Sequence, residues 1–240
     1  LQLDGKNHSY ISSVLLKAKT KVCIKFIKYK RFLNKSYSLS RPNFLINKFF
    51  DMNEISYENY HLKDNHKYHY LSLYLNLLKK LNIKIISKKH YLPFENAINP
   101  SKFNEDYHLF HIDKRWEFFA PITKNKLKEK ILILAQNHKI VLTSDLGGNN
   151  IFNFLKVELK NIPNLQFIEN PDLHKTLSLI FYCNTCVSSH SGLIVHAGAA
   201  FQKKIIDLVS PSINNELDRW IPFSINYKRF DVNNFYNFDF

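Results

Sequence analysis

From residue 107 to residue 209 the chain alternates short apolar runs with helix-spaced apolar stripes. Tyr107 to Ile112, Lys139 to Thr143, Leu165 to Glu169, Cys186 to Ser189 and Lys204 to Val209 are short and rich in β-branched residues, which predicts strands. Between them, Lys124 to Gln136, Ile151 to Leu159, Leu173 to Tyr182 and Val195 to Phe201 carry the spacing of helices with one buried face. Repeated strand–helix units of this length predict an α/β fold with a parallel sheet covered by helices. In such folds ligands bind at the carboxyl ends of the strands.

The first hundred residues are less regular. Ser12 to Lys19 is predicted as a short helix and Lys21 to Ile27 as a strand. Tyr29 to Asn65 is rich in Ser, Asn and Lys and includes Pro42, so it is predicted mainly as a long connection, with a short helix around Phe44 to Phe50. His69 to Leu81 spaces Leu71, Leu75 and Leu78 at helical intervals, with Leu77 and Leu81 widening the face. A polar stretch containing Pro93, Asn99, Pro100 and Ser101 is expected to link a domain of residues 1–105 to one of residues 106–240. The sequence begins at Leu1 and its sole methionine is Met52, so an upstream segment is expected.

Composition narrows the class. With 240 residues, 45% of them hydrophobic, the chain can bury a substantial core. No run approaches the ~18 consecutive apolar residues of a membrane span, and the start lacks the basic, apolar, small-residue order of a leader. The expectation is a cytoplasmic protein. Cys23, Cys183 and Cys186 are odd in number, and the Cys-x-x-Cys pair has no second pair to complete a zinc site, so reduced structural thiols and no metal are expected. Thirty-four Lys and Arg against 20 Asp and Glu give a formal charge of +14, which favours a nucleic acid, a phosphorylated glycan or an acidic membrane surface. An AT-rich genome would raise the lysine count without selection for any of these.

Four segments carry candidate chemistry. Ser188-Ser189-His190-Ser191-Gly192-Leu193-Ile194-Val195-His196-Ala197-Gly198 reads as strand, tight turn and a helix of small residues, whose first amides suit a phosphate. A turn with a glycine for geometry and a buried histidine accounts for the same residues. His111-Ile112-Asp113-Lys114-Arg115-Trp116 places a lysine at a strand's carboxyl end, where it can neutralise charge gathering on a departing diphosphate. A solvated basic turn beside a half-buried aromatic is the alternative. Val141-Leu142-Thr143-Ser144-Asp145-Leu146-Gly147-Gly148-Asn149 runs from strand into a glycine loop of the kind that lines nucleotide pockets, with Thr143 and Ser144 as candidates. Near the start, Asp4, Lys6 and His8 lie in a polar segment with Gly5 and Ser9, which an N-cap and a solvated loop also explain.

Together these segments resemble the heptosyltransferase-like glycosyltransferases, family 9. The resemblance rests on Ser191-Gly192 followed by His196 and small residues, on the Lys114-x-Trp116 element, and on weaker likeness at residues 3–9 and Asp218-Arg219-Trp220. It implies a GT-B fold of two Rossmann-like domains with parallel sheets, the N-terminal one incomplete and the C-terminal one holding a nucleotide sugar. It further implies inverting transfer without metal or cofactor, in keeping with the lack of an Asp-x-Asp triplet. Lys114 would stabilise the leaving diphosphate, and Ser191, Gly192 and His196 would contact it. His190 would line the donor site beside Thr143 and Ser144, and Trp116 would brace the loop or pack near the nucleotide. Lys6 and His8 would touch an anionic glycan or glycolipid acceptor at the inner membrane face, with Asp4 standing in for a catalytic base. His190 replaces an acidic residue of the family pattern, the interval from Gly192 to His196 is one residue longer, and a Glu expected after the third segment is absent, with Asn149 the nearest polar replacement. No nucleic-acid partner is expected, because the basic residues are spread along the chain. A basic nucleic-acid-binding protein and an inactive nucleotide- or glycan-binding relative stay as alternatives.

Overall fold

A computed structural model describes residues 15–32, 35–40, 48–57, 70–87, 90–95, 97–104, 106–145, 150–213, 220–222, 224, 226–237 and 240. The chain divides into two compact units, Leu1–Lys88 with Asp218–Trp220, and Lys89–Leu217 with Ile221–Phe240.

The described part of the first unit is a three-stranded sheet with one helix. Strand β1 (Val22–Phe32) lies between β2 (Lys35–Ser40) and β3 (Met52–Tyr57), antiparallel to β2 and parallel to β3. Two strands therefore stand where a long connection is expected. The Ser and Lys content of residues 29–40 is that of a connection, but the two residues between the strands suit an antiparallel pair. Lys21 and Asp51 tie the starts of β1 and β3 reciprocally: the Lys21 amide donates to Asp51 Oδ2 at 2.6 Å and the Asp51 amide to the Lys21 carbonyl at 2.8 Å. Helix α1 (Tyr70–Lys80) forms close to expectation, but the centre of its buried face is Leu73 and Leu77 against Val22, whereas Leu75 and Leu78 are only partly buried. Of the helix expected from Ser12, residues 12–14 lie outside the described residues and 16–20 are not helical; Lys48 and Phe49 are helical.

The second unit follows the predicted rhythm. Its order is β4 (Tyr107–Ile112), α2 (Arg115–Phe118), α3 (Lys124–Asn137), β5 (Lys139–Ser144), α4 (Asn150–Leu159), β6 (Leu165–Ile168), α5 (Leu173–Tyr182), β7 (Thr185–Ser188), α6 (Gly192–Ala200), β8 (Lys204–Val209) and β9 (Tyr227–Asp231). All neighbours in the six-stranded sheet are parallel, in the order β6-β5-β4-β7-β8-β9. Strand β9 is an addition the hydrophobic pattern does not announce, since Tyr-Lys-Arg-Phe-Asp is only partly buried at the sheet edge.

Side chains on β4 alternate between two cores, as a pleated strand covered on both faces requires. Phe110 and Ile112 join the cluster of Leu127, Ile131, Phe152 and Leu155 from α3 and α4. Tyr107 and Leu109 join that of Leu179, Ile180, Cys186 and Ile194 from the α5 and α6 side. Helices α3 and α5 start on side-chain caps: Thr123 Oγ1 accepts from the Lys126 amide at 3.3 Å, and Asp172 Oδ1 from the Lys175 amide at 2.7 Å. The polar stretch before β4 packs on this unit, where Tyr182 donates to the Ala97 carbonyl at 2.8 Å and Ser101 to Gln166 Oε1 at 3.0 Å.

Candidate functional site

The strand order reverses between β4 and β7. Successive strands leave on one side through β5 to β6 and on the other through β8 to β9, so the loops after β4 and β7 part over a crevice at the carboxyl edge. Lys114 sits on the first of these loops and Ser191 with Gly192 on the second.

The loop after β4 is built to hold Lys114 outward. Asp113, almost fully buried, accepts from the Arg115 amide and from Arg115 Nη1, each at 2.9 Å. Trp116 is fully buried and donates its indole N–H to the His111 carbonyl at 2.7 Å. Lys114 between them is exposed. Of the two roles open to Trp116, the geometry is that of a brace, since no surface is left for a nucleotide. Burial pushes the His111 imidazole below its ordinary range despite the Asp113 carboxylate, and His111 Nδ1 lies 3.1 Å from Thr143 Oγ1 on the adjoining strand.

The loop after β7 leads into the amino end of α6. Ser191 occupies the N-cap position, yet its side chain caps no amide. A Cβ placed on Gly192 would meet nothing within 4 Å. The amino end of this nine-residue helix therefore has no side-chain cap, and free amides at such an end can bind an anion together with the helix dipole. Behind them, Gly198 lets the helix seat on the sheet, because a Cβ there would lie 3.0 Å from Ile205 Cγ1.

His190 takes a left-handed backbone (φ 52°), uncommon outside glycine but one that histidine adopts more readily than most. Its amide donates to Asp207 Oδ1 at 2.6 Å, and its ring Nδ1 lies 2.7 Å from Asp207 Oδ2. Tyr227 donates to that same oxygen at 2.6 Å, and Arg229 Nε donates to the Tyr227 hydroxyl at 3.3 Å. Burial, and after it the Asp207 carboxylate, pushes the Tyr227 hydroxyl well up, so it remains a donor.

Other candidates fall differently. Thr143 has no exposed surface and Ser144 almost none, so these two fasten the strand ends, Ser144 Oγ lying 3.4 Å from Asn170 Oδ1. His196 lies a turn into α6 with its ring 5.6 Å from that of His90. Asp4, Lys6 and His8, as well as Asn149, Asp218 and Arg219, lie outside the described residues.

Two further polar atoms at the same edge escape a reading of motifs. Ser188 Oγ ends β7 and Asp145 Oδ1 follows β5, and each is buried without a hydrogen-bond partner among the described residues. An orphaned polar group of this kind costs about 1–3 kcal/mol unless something pairs with it. Asp207 escapes too, although one acidic residue inside Lys204-Ile205-Ile206-Asp207-Leu208-Val209 is a visible signal. Among the described residues no helix is long and apolar enough to cross a membrane.

No protein-family model matches the chain, and no curated protein matches its sequence. In structure it is similar to a family 9 glycosyl transferase from Veillonella parvula DSM 2008, with a TM-score of 0.64 and 12% identity over 98% of this chain and 62% of that one. It is similar also to the E. coli ADP-heptose LPS heptosyltransferase II, with a TM-score of 0.57 and 12% identity over 95% of this chain and 66% of that one. A third is the E. coli heptosyltransferase WaaC with ADP, with a TM-score of 0.55 and 13% identity over 80% of this chain and 57% of that one. The chain therefore spans less than two thirds of the length of each. At such identities the likeness is one of fold, and the fold of this chain is the α/β GT-B fold of the heptosyltransferase-like glycosyltransferases.

Proposed function

We propose that the chain is the donor-binding part and more of a glycosyltransferase that moves a sugar from a nucleoside diphosphate to a hydroxyl of an anionic surface glycan or glycolipid. The observation that carries this is the placement of Lys114 and the uncapped amino end of α6 on the two loops flanking the strand reversal. A diphosphate seated there meets a flexible cation and a fixed row of amides, the two groups that stabilise charge as the nucleotide leaves.

In the reaction, the acceptor hydroxyl loses its proton to a carboxylate and attacks the anomeric carbon from the face opposite the diphosphate, inverting the configuration. The bond to the diphosphate breaks as the new glycosidic bond forms. Lys114 and the α6 amides offset the developing charge, in the place that a divalent cation takes in metal-dependent transfer. Asp4 is the proposed base, with Lys6 and His8 as acceptor contacts. ADP is the first nucleotide to try, since one of the similar structures is described with ADP and another as an ADP-heptose enzyme. A formal charge of +14 suits a phosphorylated acceptor and work at the cytoplasmic membrane face.

The test is calorimetric titration of the chain with ADP, GDP, UDP and CMP, repeated on Lys114→Ala. Saturable binding of one diphosphate, weakened by the substitution, is the expected result. A folded chain that binds none of them has no donor site, and the proposal fails.

A further inference from the structure

Asp207 is a fully buried acid in the middle of an apolar parallel strand, an expensive placement unless every lone pair is used. It is used: Oδ1 accepts from the His190 amide, while Oδ2 lies against the His190 ring and accepts a hydrogen bond from the Tyr227 hydroxyl. An ionised carboxylate can only accept, so Nδ1 of His190 must carry a hydrogen. That edge of the ring faces a residue with no exposed surface. The opposite edge carries Nε2, which makes no hydrogen bond among the described residues, and the side chain keeps 9% of its surface exposed. Arg229 stands one hydroxyl away from Asp207, through Tyr227. Phe119 of the loop after α2 faces the ring edge-on at 6.4 Å and adds no charge.

We propose that Asp207 is a positioning residue that locks His190 in its neutral Nδ1–H form, so that Nε2 accepts a hydrogen bond from a hydroxyl of the donor's sugar. This rests on the donor-site reading above. A lone pair on Nε2 repels the oxygens of a diphosphate, which are acceptors themselves, and selects a group that donates. His190 directly precedes the Ser191–Gly192 turn, so a sugar linked to a diphosphate on the helix terminus lies beside it. Sequence position and tautomer together thus assign His190 to the sugar and the α6 amides to the phosphates.

Asp207→Asn reverses the lock. Asn Oδ1 still accepts the His190 amide, but its NH2 then faces Nδ1, which must become the acceptor and send the ring hydrogen to Nε2. The probes are ADP and ADP-heptose, titrated into wild type and variant by calorimetry, with 15N spectra of the histidine rings in parallel. The expected result is a ring shifted from Nδ1–H to Nε2–H, ADP affinity within about twofold of wild type, and ADP-heptose affinity lowered about tenfold. Should Asp207→Asn not fold, His190→Ala is expected to show the same selective loss, and His190→Gln, whose amide oxygen reaches the Nε2 position, to restore most of it. An inverted tautomer with unchanged ADP-heptose affinity overturns the proposal, as does a doubly protonated His190 in the wild-type complex. ADP-heptose binding no tighter than ADP to wild type overturns it as well. If neither ligand binds wild type, this proposal and the donor-site reading fall together, whereas ADP binding without any selective loss removes this proposal alone.

Discussion

Ser189 Oγ lies 3.5 Å from the main-chain carbonyl of Arg115, which joins the loop after β7 to the loop after β4 across the point where the strand order reverses. The bond is long and weak by itself. Its importance is positional, because each loop already has its own anchor. The first is pinned by Asp113 and Trp116, the second by Asp207 through His190, and Ser189 makes the two anchors share one frame. Lys114 and the amides of α6 are therefore held by groups that do not need the ligand in order to be placed.

Lys114 is exposed, so replacing it should separate binding from folding. Lys114→Ala is expected to leave the urea midpoint unchanged, because an exposed surface residue contributes within about 0.5 kcal/mol. Diphosphate affinity should fall by about ten- to a hundredfold, the range for one charge-assisted contact of about 1.5–3 kcal/mol. Lys114→Arg should recover part of it. Calorimetry on the three proteins decides, and a nucleotide that binds the Ala variant as tightly as wild type removes Lys114 from the site.

The same substitution at two glycines of α6 should have opposite effects. Gly192→Ala adds a methyl where nothing lies within 4 Å, so stability should hold or rise slightly, while the methyl intrudes on the space over the helix terminus and weakens diphosphate binding severalfold. Gly198→Ala puts a methyl 3.0 Å from Ile205 Cγ1 and 3.6 Å from Cys186 Sγ, both fully buried. The crowding should outweigh the gain in helix propensity and cost about 1 kcal/mol net, with binding by the folded fraction retained. Denaturation and titration of both variants check the pair, and a destabilised Gly192→Ala would mean that its neighbourhood is not open.

The second unit is legible in the sequence because its strands are buried on both faces and read as unbroken apolar runs. Tyr107 to Ile112, Leu173 to Tyr182 and Lys204 to Val209 are predicted to the residue. In the first unit, strands β2 and β3 take much of their substance from Ser, Asn, Lys and Glu, which composition assigns to loops. The candidate site divides the same way. Lys114 and Ser191-Gly192 carry local signals, a cation after a strand and a glycine at a helix start. Asp207, Tyr227 and Arg229 act on His190 from 17 or more positions along the chain, and only the parallel pairing of β8 with β9 and the turn after β7 bring them together. Burial is the other thing motif reading misses, as Trp116 and Thr143 show by having no surface to offer.

Trp116→Phe tests the brace. It removes the indole N–H from the His111 carbonyl and leaves a void in a site with no exposed surface. An unsatisfied buried carbonyl and the lost packing together should cost about 2–3 kcal/mol. Diphosphate affinity should drop severalfold as the Lys114 loop loosens. Urea denaturation gives the first quantity and calorimetry the second. Lost stability with full affinity would show that Lys114 is placed by Asp113 alone.

The buried His111 should make stability fall on the acid side of neutrality. Its folded-state pKa is lowered, chiefly by burial, whereas in the unfolded chain it is near the ordinary histidine value of about 6.5. Above that value the ring is neutral in both states and stability is complete. As pH drops below it the unfolded chain takes up a proton that the folded chain refuses, so stability declines down to the lowered folded-state pKa and then levels. His90, also lowered by burial, adds to the slope in the same direction. One such proton is worth up to about 1.4 kcal/mol per pH unit. Urea midpoints measured from pH 7.5 to pH 5 should therefore slope downward, and His111→Gln, which cannot titrate, should flatten part of that slope whatever its effect on absolute stability. An identical slope in the variant would mean that His111 takes up its proton in the folded chain as readily as in the unfolded one, and that the His111–Thr143 contact does not exclude the charged ring.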